Sequence, residues 1–206
     1  MKLKNVSHIT ITLTNNCNMQ CDYCYCGQKY EKRISASVID KIYSLVAMSD
    51  VRSITFFGGE PLLELELLLQ LHQTLLSIKP DLRFCLTTNG LLLTPKIYQL
   101  LLNKNIDITL SIDGNQARHD KHRKLHDGSG TWDLIMKNVM LLKPIPRVRL
   151  TFSPKDVHGL AHDVKTLHEN EFCKLGFYPI SGIGWSIETL EQYTQEYQMI
   201  VDFCIS

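Results

Sequence analysis

Six times along this chain a short apolar–polar alternation gives way to a stretch with helical spacing, and this repetition restricts the fold more than any single motif does. Residues 8–14, HITITLT, set Ile9, Ile11 and Leu13 on one side of an extended chain and Thr10, Thr12 and Thr14 on the other. Ser35 then offers an N-cap for a helix through ASVIDKIYSLVAM. The unit returns as VRSITFF with a leucine-rich helix over about 62–78, then as LRFCLTT, closed by Asn89-Gly90, with a helix opening at Thr94-Pro95. IDITLSID with a helix near 131–142, RVRLTFS with a helix near 157–170, and KLGFYPI with a last helix from about Glu188 complete the series. Strict alternation of this kind argues for an α/β fold with a parallel sheet and helices outside.

The strand faces narrow the choice. A sheet covered on both sides gives nearly continuous apolar strands. Here Thr10, Thr12 and Thr14 share a polar face, as do Asp107, Thr109, Ser111 and Asp113, and Arg149, Thr151 and Ser153. A lumen lined by these groups fits a partial (β/α)6 barrel around a polar ligand. Its functional groups belong on the loops at the C-terminal strand ends. One long polar loop, 114–130, interrupts the series, and residues 1–206 are expected to form one domain.

Four cysteines, Cys17, Cys21, Cys24 and Cys26, fall in the first of those loops. The N-terminus has no continuous apolar core, so it does not resemble a signal peptide. No stretch approaches the roughly 20 apolar residues of a membrane helix. A cytoplasmic location is therefore the expectation. In that setting seven cysteines point to metal binding or catalysis rather than disulfides. A formal net charge of +1 gives no basic excess for nucleic acid or an anionic membrane surface.

Thiolates bind zinc or iron–sulfur clusters. A structural zinc site wants four closed ligands, usually as two pairs, and Cys85, Cys173 and Cys204 are isolated and far away in sequence. A fully ligated cubane also wants four. The spacing Cys17-x3-Cys21-x2-Cys24 offers three, leaving one iron open to a substrate or cofactor. Cys26 stands as a loop cysteine, a reserve ligand, or a fourth ligand.

With Tyr23 before Cys24, the loop resembles the signature of radical S-adenosylmethionine (SAM) enzymes. GGEP at 58–61, TTNG at 87–90, SIDG at 111–114 and HDKHR at 119–123 follow at later strand ends and resemble the subgroup of anaerobic sulfatase-maturating enzymes and related peptide maturases. The resemblance implies a [4Fe-4S] cluster on Cys17, Cys21 and Cys24. It implies SAM chelated at the open iron, one-electron cleavage to a 5′-deoxyadenosyl radical, and hydrogen abstraction from a peptide or protein side chain. It implies an electron donor of the flavodoxin or ferredoxin type. Gly58 and Gly59 allow close backbone approach to SAM. Glu60 suits its ammonium group, Tyr23 its adenine, and Asn89, Ser111, Asp113 and Arg149 its ribose or carboxylate. No general base is assigned.

Blander readings stand beside these. In these Asp113 braces its loop, and Arg149 pairs with Asp113 or Glu60. His119, Asp120, His122 and His126 have a tempting metal-ligand spacing, but the neighbouring lysines and Arg123 disfavour a cation, so they are read as a polar loop. Cys173 and Cys204 are read as packing residues. Other functions are a glycyl-radical-enzyme activase, a small-molecule radical enzyme of the deazaguanine type, or a non-catalytic iron–sulfur or zinc module. Peptide maturases of this type continue into a cysteine-rich extension and can carry an N-terminal leader-binding domain. The extension is expected to be absent or truncated at Ser206, and the sixteen residues before Cys17 leave no room for the leader-binding domain.

Overall fold

The computed structural model describes residues 6–24, 26, 32–180 and 182–205. Six strands form one parallel sheet: β1 (His8–Thr12), β2 (Ser53–Phe57), β3 (Arg83–Thr88), β4 (Ile106–Ser111), β5 (Arg147–Phe152) and β6 (Leu175–Pro179). They pair in chain order, β1 to β6. A doubly wound sheet reverses its order partway. A sheet that never reverses curls in one sense, and here β1 and β6 do not pair, so the wall is an open, partial barrel.

The outer face of that wall is the core. Ile11, Ile54, Phe56, Leu86, Leu110, Val148 and Leu150 are all at most 2% exposed. They meet the apolar stripes of the crossover helices, which are α1 (Ala36–Met48), α2 (Leu65–Ile78), α3 (Pro95–Asn103), α5 (Trp132–Val139) and α6 (Leu160–Glu169). Local chemistry sets the ends of these helices. Thr94 accepts from the Ile97 N–H and Pro95 follows at the first helical position, a cap of about 1 kcal/mol. α2 is preceded by a 3-10 turn, Pro61–Glu64, so the expected helix from 62 begins as a tighter coil.

The loop 114–130 contains a helix, α4 (Gln116–His122), capped by Asn115, which accepts from the Arg118 N–H. Its buried side is His119 and His122, so apolar periodicity gave no sign of it. The polar lumen also stops sooner than alternation suggests. Thr14 lies beyond β1 and bridges Arg33, its hydroxyl bonding the Lys32 carbonyl. Ser153 lies beyond β5 and donates to Asp156. Asp113 lies beyond β4 and turns to Arg123. A residue past the last ladder bond no longer has its side-chain direction fixed by the pleat.

α7 (Ile187–Ile205) packs on α6, where Glu196 accepts from the Gly159 and Ala161 N–H groups. Cys173 and Cys204 are exposed, not packing residues as expected. No described helix is long and apolar enough to cross a membrane.

Candidate functional site

A cavity of about 370 Å3 opens at the C-terminal strand ends. Cys17, Cys21, Cys24 and Cys26 all line it. Gly58, Gly59, Asn89, Ser111 and Arg149 face them across the cavity, and Tyr23 and Arg123 complete that wall. Among the described residues no three His, Cys, Asp or Glu side chains converge as a shell for a single ion. A cubane cluster binds its thiolates at separate corners rather than at one point, so cysteines spread along the wall of one cavity, Cys17, Cys21 and Cys24 among them, are a donor set suited to a cluster rather than to a single ion.

The cysteine loop is tied down on both sides. On the β2 side, the Gly59 N–H donates to the Thr14 carbonyl and the Glu60 N–H to the Asn16 carbonyl, each at 2.8 Å. On the α4 side, the Gln20 N–H donates to the Lys124 carbonyl at 2.7 Å and the Asp22 N–H to the His122 carbonyl at 3.1 Å. His126 Nε2–H donates to the Cys17 carbonyl at 2.8 Å. Asn89 Nδ2 reaches Asn18 Oδ1 at 2.7 Å and Cys17 Sγ at 3.7 Å.

The two glycines serve this packing first. A Cβ on Gly58 would overlap the Thr14 carbonyl oxygen, and one on Gly59 the Asn16 carbonyl oxygen. Gly58 also has φ of +144°, where a side chain is strained. The backbone that needs the room is that of the cysteine loop. Glu60 is fully buried and does not line the cavity. Its carboxylate accepts from Leu62 N–H at 3.0 Å, Thr88 Oγ1–H at 2.8 Å and Asn89 N–H at 2.8 Å. It thereby joins the ends of β2 and β3.

Burial pushes the Glu60 carboxyl up to about 7 from 4.5, against those three hydrogen bonds, which favour the anion. The folded state then holds this proton more tightly than the unfolded chain. Its stabilising contribution is full below about pH 4.5 and is lost as the pH rises through about 7. In Glu60→Gln the denaturant midpoint should change less between those pH values than in the wild type. Parallel curves for the two proteins would refute this.

Behind Tyr23 sits a buried ion pair. Asp113 accepts from Arg123 Nε at 2.7 Å and Nη2 at 3.1 Å, from the Thr151 N–H at 2.8 Å, and from the Tyr23 hydroxyl. Burial, and the Asp113 carboxylate beside it, push the Tyr23 phenol upward although Arg123 opposes them, so it remains a neutral donor. His119 Nδ1 accepts from the Asp113 N–H and Nε2–H donates to Thr131 Oγ1. Burial, with Arg123 nearby, pulls that imidazole down to about 4. His122 is bracketed by the Asp22 and Asp156 carboxylates. Burial alone would raise Asp156, but hydrogen bonds from Lys121, Ser153 and His122 outweigh it and hold the carboxyl well below its usual range.

The expected residues thus fall into two groups. Cys17, Cys21, Cys24, Tyr23, Gly58, Gly59, Asn89, Ser111 and Arg149 share the cavity wall. Glu60 and Asp113 lie behind it, with no exposed surface. Asp113 pairs with Arg123, while Arg149 lies over the Tyr178 ring at 4.5 Å. The four metal-like residues of the polar loop have separate structural partners. His119 goes to Thr131, Asp120 to the Thr131 and Trp132 N–H groups, His122 to Asp22 and Asp156, and His126 to Cys17. Arg123 and His126 were missed as neighbours of the site. The one available signal was that a polar loop after β4 carried an arginine, the side chain best fitted to a buried carboxylate.

The family model described as the Radical SAM superfamily matches residues 11–148. The radical SAM cyclopropyl synthase TigE of Paramaledivibacter caminithermalis is 28% identical over 162 residues, which is 68% of this chain and 33% of that protein. The GTP 3′,8-cyclase of Clostridium perfringens is 26% identical over 141 residues, covering 66% of this chain and 42% of that one. This chain therefore spans less than half the length of either relative. The structure of anSMEcpe with bound AdoMet and a Cp18Cys peptide superposes with a TM-score of 0.77 at 20% identity, over 96% of this chain and 59% of that chain. At that identity the likeness carries the fold.

Proposed function

This chain belongs to the radical SAM superfamily, whose cofactors are a [4Fe-4S] cluster and SAM, and from that premise we propose that Cys17, Cys21 and Cys24 hold the cluster of an enzyme that modifies a peptide or protein side chain. The observation that carries this is the single cavity in which these cysteines face Gly58, Gly59, Asn89 and Ser111. When bound, the cluster and SAM supply one-electron sulfonium cleavage and hydrogen-atom abstraction.

The chain's own residues position and shield. Gly58 and Gly59 keep the cysteine loop close to the end of β2. Asn89 and Ser111 offer an amide and a hydroxyl at the ends of β3 and β4 for the polar groups of SAM. Arg149 offers a cation to a carboxylate. Tyr23, kept a neutral phenol by burial and by its bond to Asp113, would offer its ring to the adenine. Glu60 and Asp113 act through the loops they join rather than by touching SAM. Cys26 stands outside the ligand set, and a flavodoxin- or ferredoxin-type donor would deliver the electron.

The peptide reading is supported by the shared barrel of anSMEcpe, whose structure holds a peptide. A second reading, a small-molecule radical enzyme, is supported by the GTP 3′,8-cyclase relative. Anaerobic reconstitution with iron and sulfide, followed by dithionite and SAM, should yield 5′-deoxyadenosine by mass spectrometry. A cysteine- or serine-containing peptide and GTP are then added separately. Deuterium transfer from a labelled peptide into 5′-deoxyadenosine supports the first reading, and transfer from labelled GTP the second. A loaded cluster with no 5′-deoxyadenosine would sink both.

A further inference from the structure

The cysteine cavity does not use all of the lumen. A second cavity of about 380 Å3 lies nearer the N-terminal ends of the strands and shares Phe57, Thr87 and Arg149 with the first. His8, Thr10, Thr109, Arg147 and Tyr178 give it a wall of its own. Arg147 and Arg149 are successive inward positions of β5, opposite Thr109 and Ser111 of β4. Across the open side, His8 Nδ1 meets Ser53 Oγ at 2.8 Å and its Nε2 meets Thr10 Oγ1 at 3.2 Å.

The two arginines are arranged on one face, and the Asp107 carboxylate lies close enough that it and Arg147 both act on Cys85. The Arg149 guanidinium lies 4.5 Å over the Tyr178 ring, a cation–π contact. Gly176 makes that stack possible, since a Cβ there would come 2.9 Å from the ring. Among the described residues neither arginine is in an ion pair. The nearest carboxylate along β4, Asp107, sits one inward position below Thr109. Two cations and several hydroxyls in a concave wall concentrate positive potential. Guanidinium forks bind carboxylate or phosphate oxygens in pairs.

We propose that this lower lumen binds an oxyanion group of the substrate, a carboxylate or a phosphate, while the reacting part of the same molecule lies in the cysteine cavity. The proposal rests on the radical SAM reading of that upper cavity. Arg149, which borders both spaces, would then sense whether cofactor and substrate are in place together. Arg147 belongs to the lower space alone.

Binding is tested without turnover. The reconstituted, SAM-bound protein is titrated by calorimetry at low ionic strength with inorganic pyrophosphate and, separately, with N-acetylglutamate. One-to-one saturation is expected for at least one of them, weakened by salt. Arg147→Gln should weaken it by roughly tenfold or more. Arg147→Lys should restore part of it, and Lys143→Gln, which removes an exposed charge paired with Glu171, should leave it unchanged. Preference for pyrophosphate assigns the oxyanion to a phosphorylated small molecule, and preference for N-acetylglutamate to an acidic peptide side chain. Should Arg147→Gln fail to fold, His8→Gln on the opposite edge strand replaces it. Absence of saturation with both anions, or unchanged affinity in Arg147→Gln or its substitute, overturns the proposal. Anion binding needs no electron, so loss of SAM cleavage in the same preparation would count against the radical reading and leave this result standing.

Discussion

Cys21→Ala should lose 5′-deoxyadenosine formation by more than about a hundredfold, and Cys17→Ala and Cys24→Ala should do the same, whereas Cys26→Ala keeps most of it. Even groups one shell away from a metal typically cost ten- to a hundredfold in affinity or activity when removed, so a lost thiolate should cost more. All four cysteines line the cavity, and lining alone therefore does not separate them. The backbone does. Cys17 has its carbonyl held by His126, and the residues flanking Cys21 have their N–H groups bonded to Lys124 and His122. The Cys24 N–H bonds the Cys21 carbonyl at 3.3 Å, closing a turn that sets those two residues together. A loop pinned at these points presents three thiolates with little freedom to substitute one for another. Iron content and cluster absorbance, measured beside product, separate loss of the cluster from loss of chemistry. Full activity in any one of the three alanine variants, or loss only in Cys26→Ala, would overturn the assignment.

The same tethers explain what sequence could and could not reveal. Strand number and parallel pairing were legible because period-2 alternation repeats between helices with recognisable caps, such as Thr94. The gathering of the cysteines, Gly58, Gly59, Asn89 and Ser111 at one end was legible because each lies at or beyond a strand's C-terminal end, and Arg149, inside β5, was legible as an inward position of the alternation. What failed lay beyond the ladders. Thr14, Asp113 and Ser153 continue the alternation in sequence but not in space. Gly58 and Gly59 line the cavity, but alternation does not show their second constraint, that the nearest atoms to a Cβ there are carbonyls of the cysteine loop. α4 was invisible because two histidines, not aliphatic residues, make its buried side. Glu60 looked like a ligand for an ammonium group because its burial depends on donors from β3, which no local pattern can show.

Asp113→Ala should be the most destabilising single change near the site, by about 3–5 kcal/mol. The substitution leaves the Arg123 guanidinium, whose side chain is only 8% exposed, without its carboxylate. It also strips an acceptor from the Thr151 N–H and from the Tyr23 hydroxyl. An uncompensated buried charge is the costly part, since isolated neutral bonds contribute about 1 kcal/mol each. That cause makes a second result distinctive. Asp113→Leu combined with Arg123→Met removes both charges and should recover much of the loss, because a buried pair replaced by apolar groups of similar volume is often close to neutral. Chemical denaturation of the two variants and the wild type measures both effects. A loss below about 1 kcal/mol in Asp113→Ala, against the range expected for a broken buried pair, would mean that water reaches Arg123. A double variant no better than the single one would mean that the Thr151 and Tyr23 bonds, rather than the charge, hold the end of β4 to β5 and the cysteine loop.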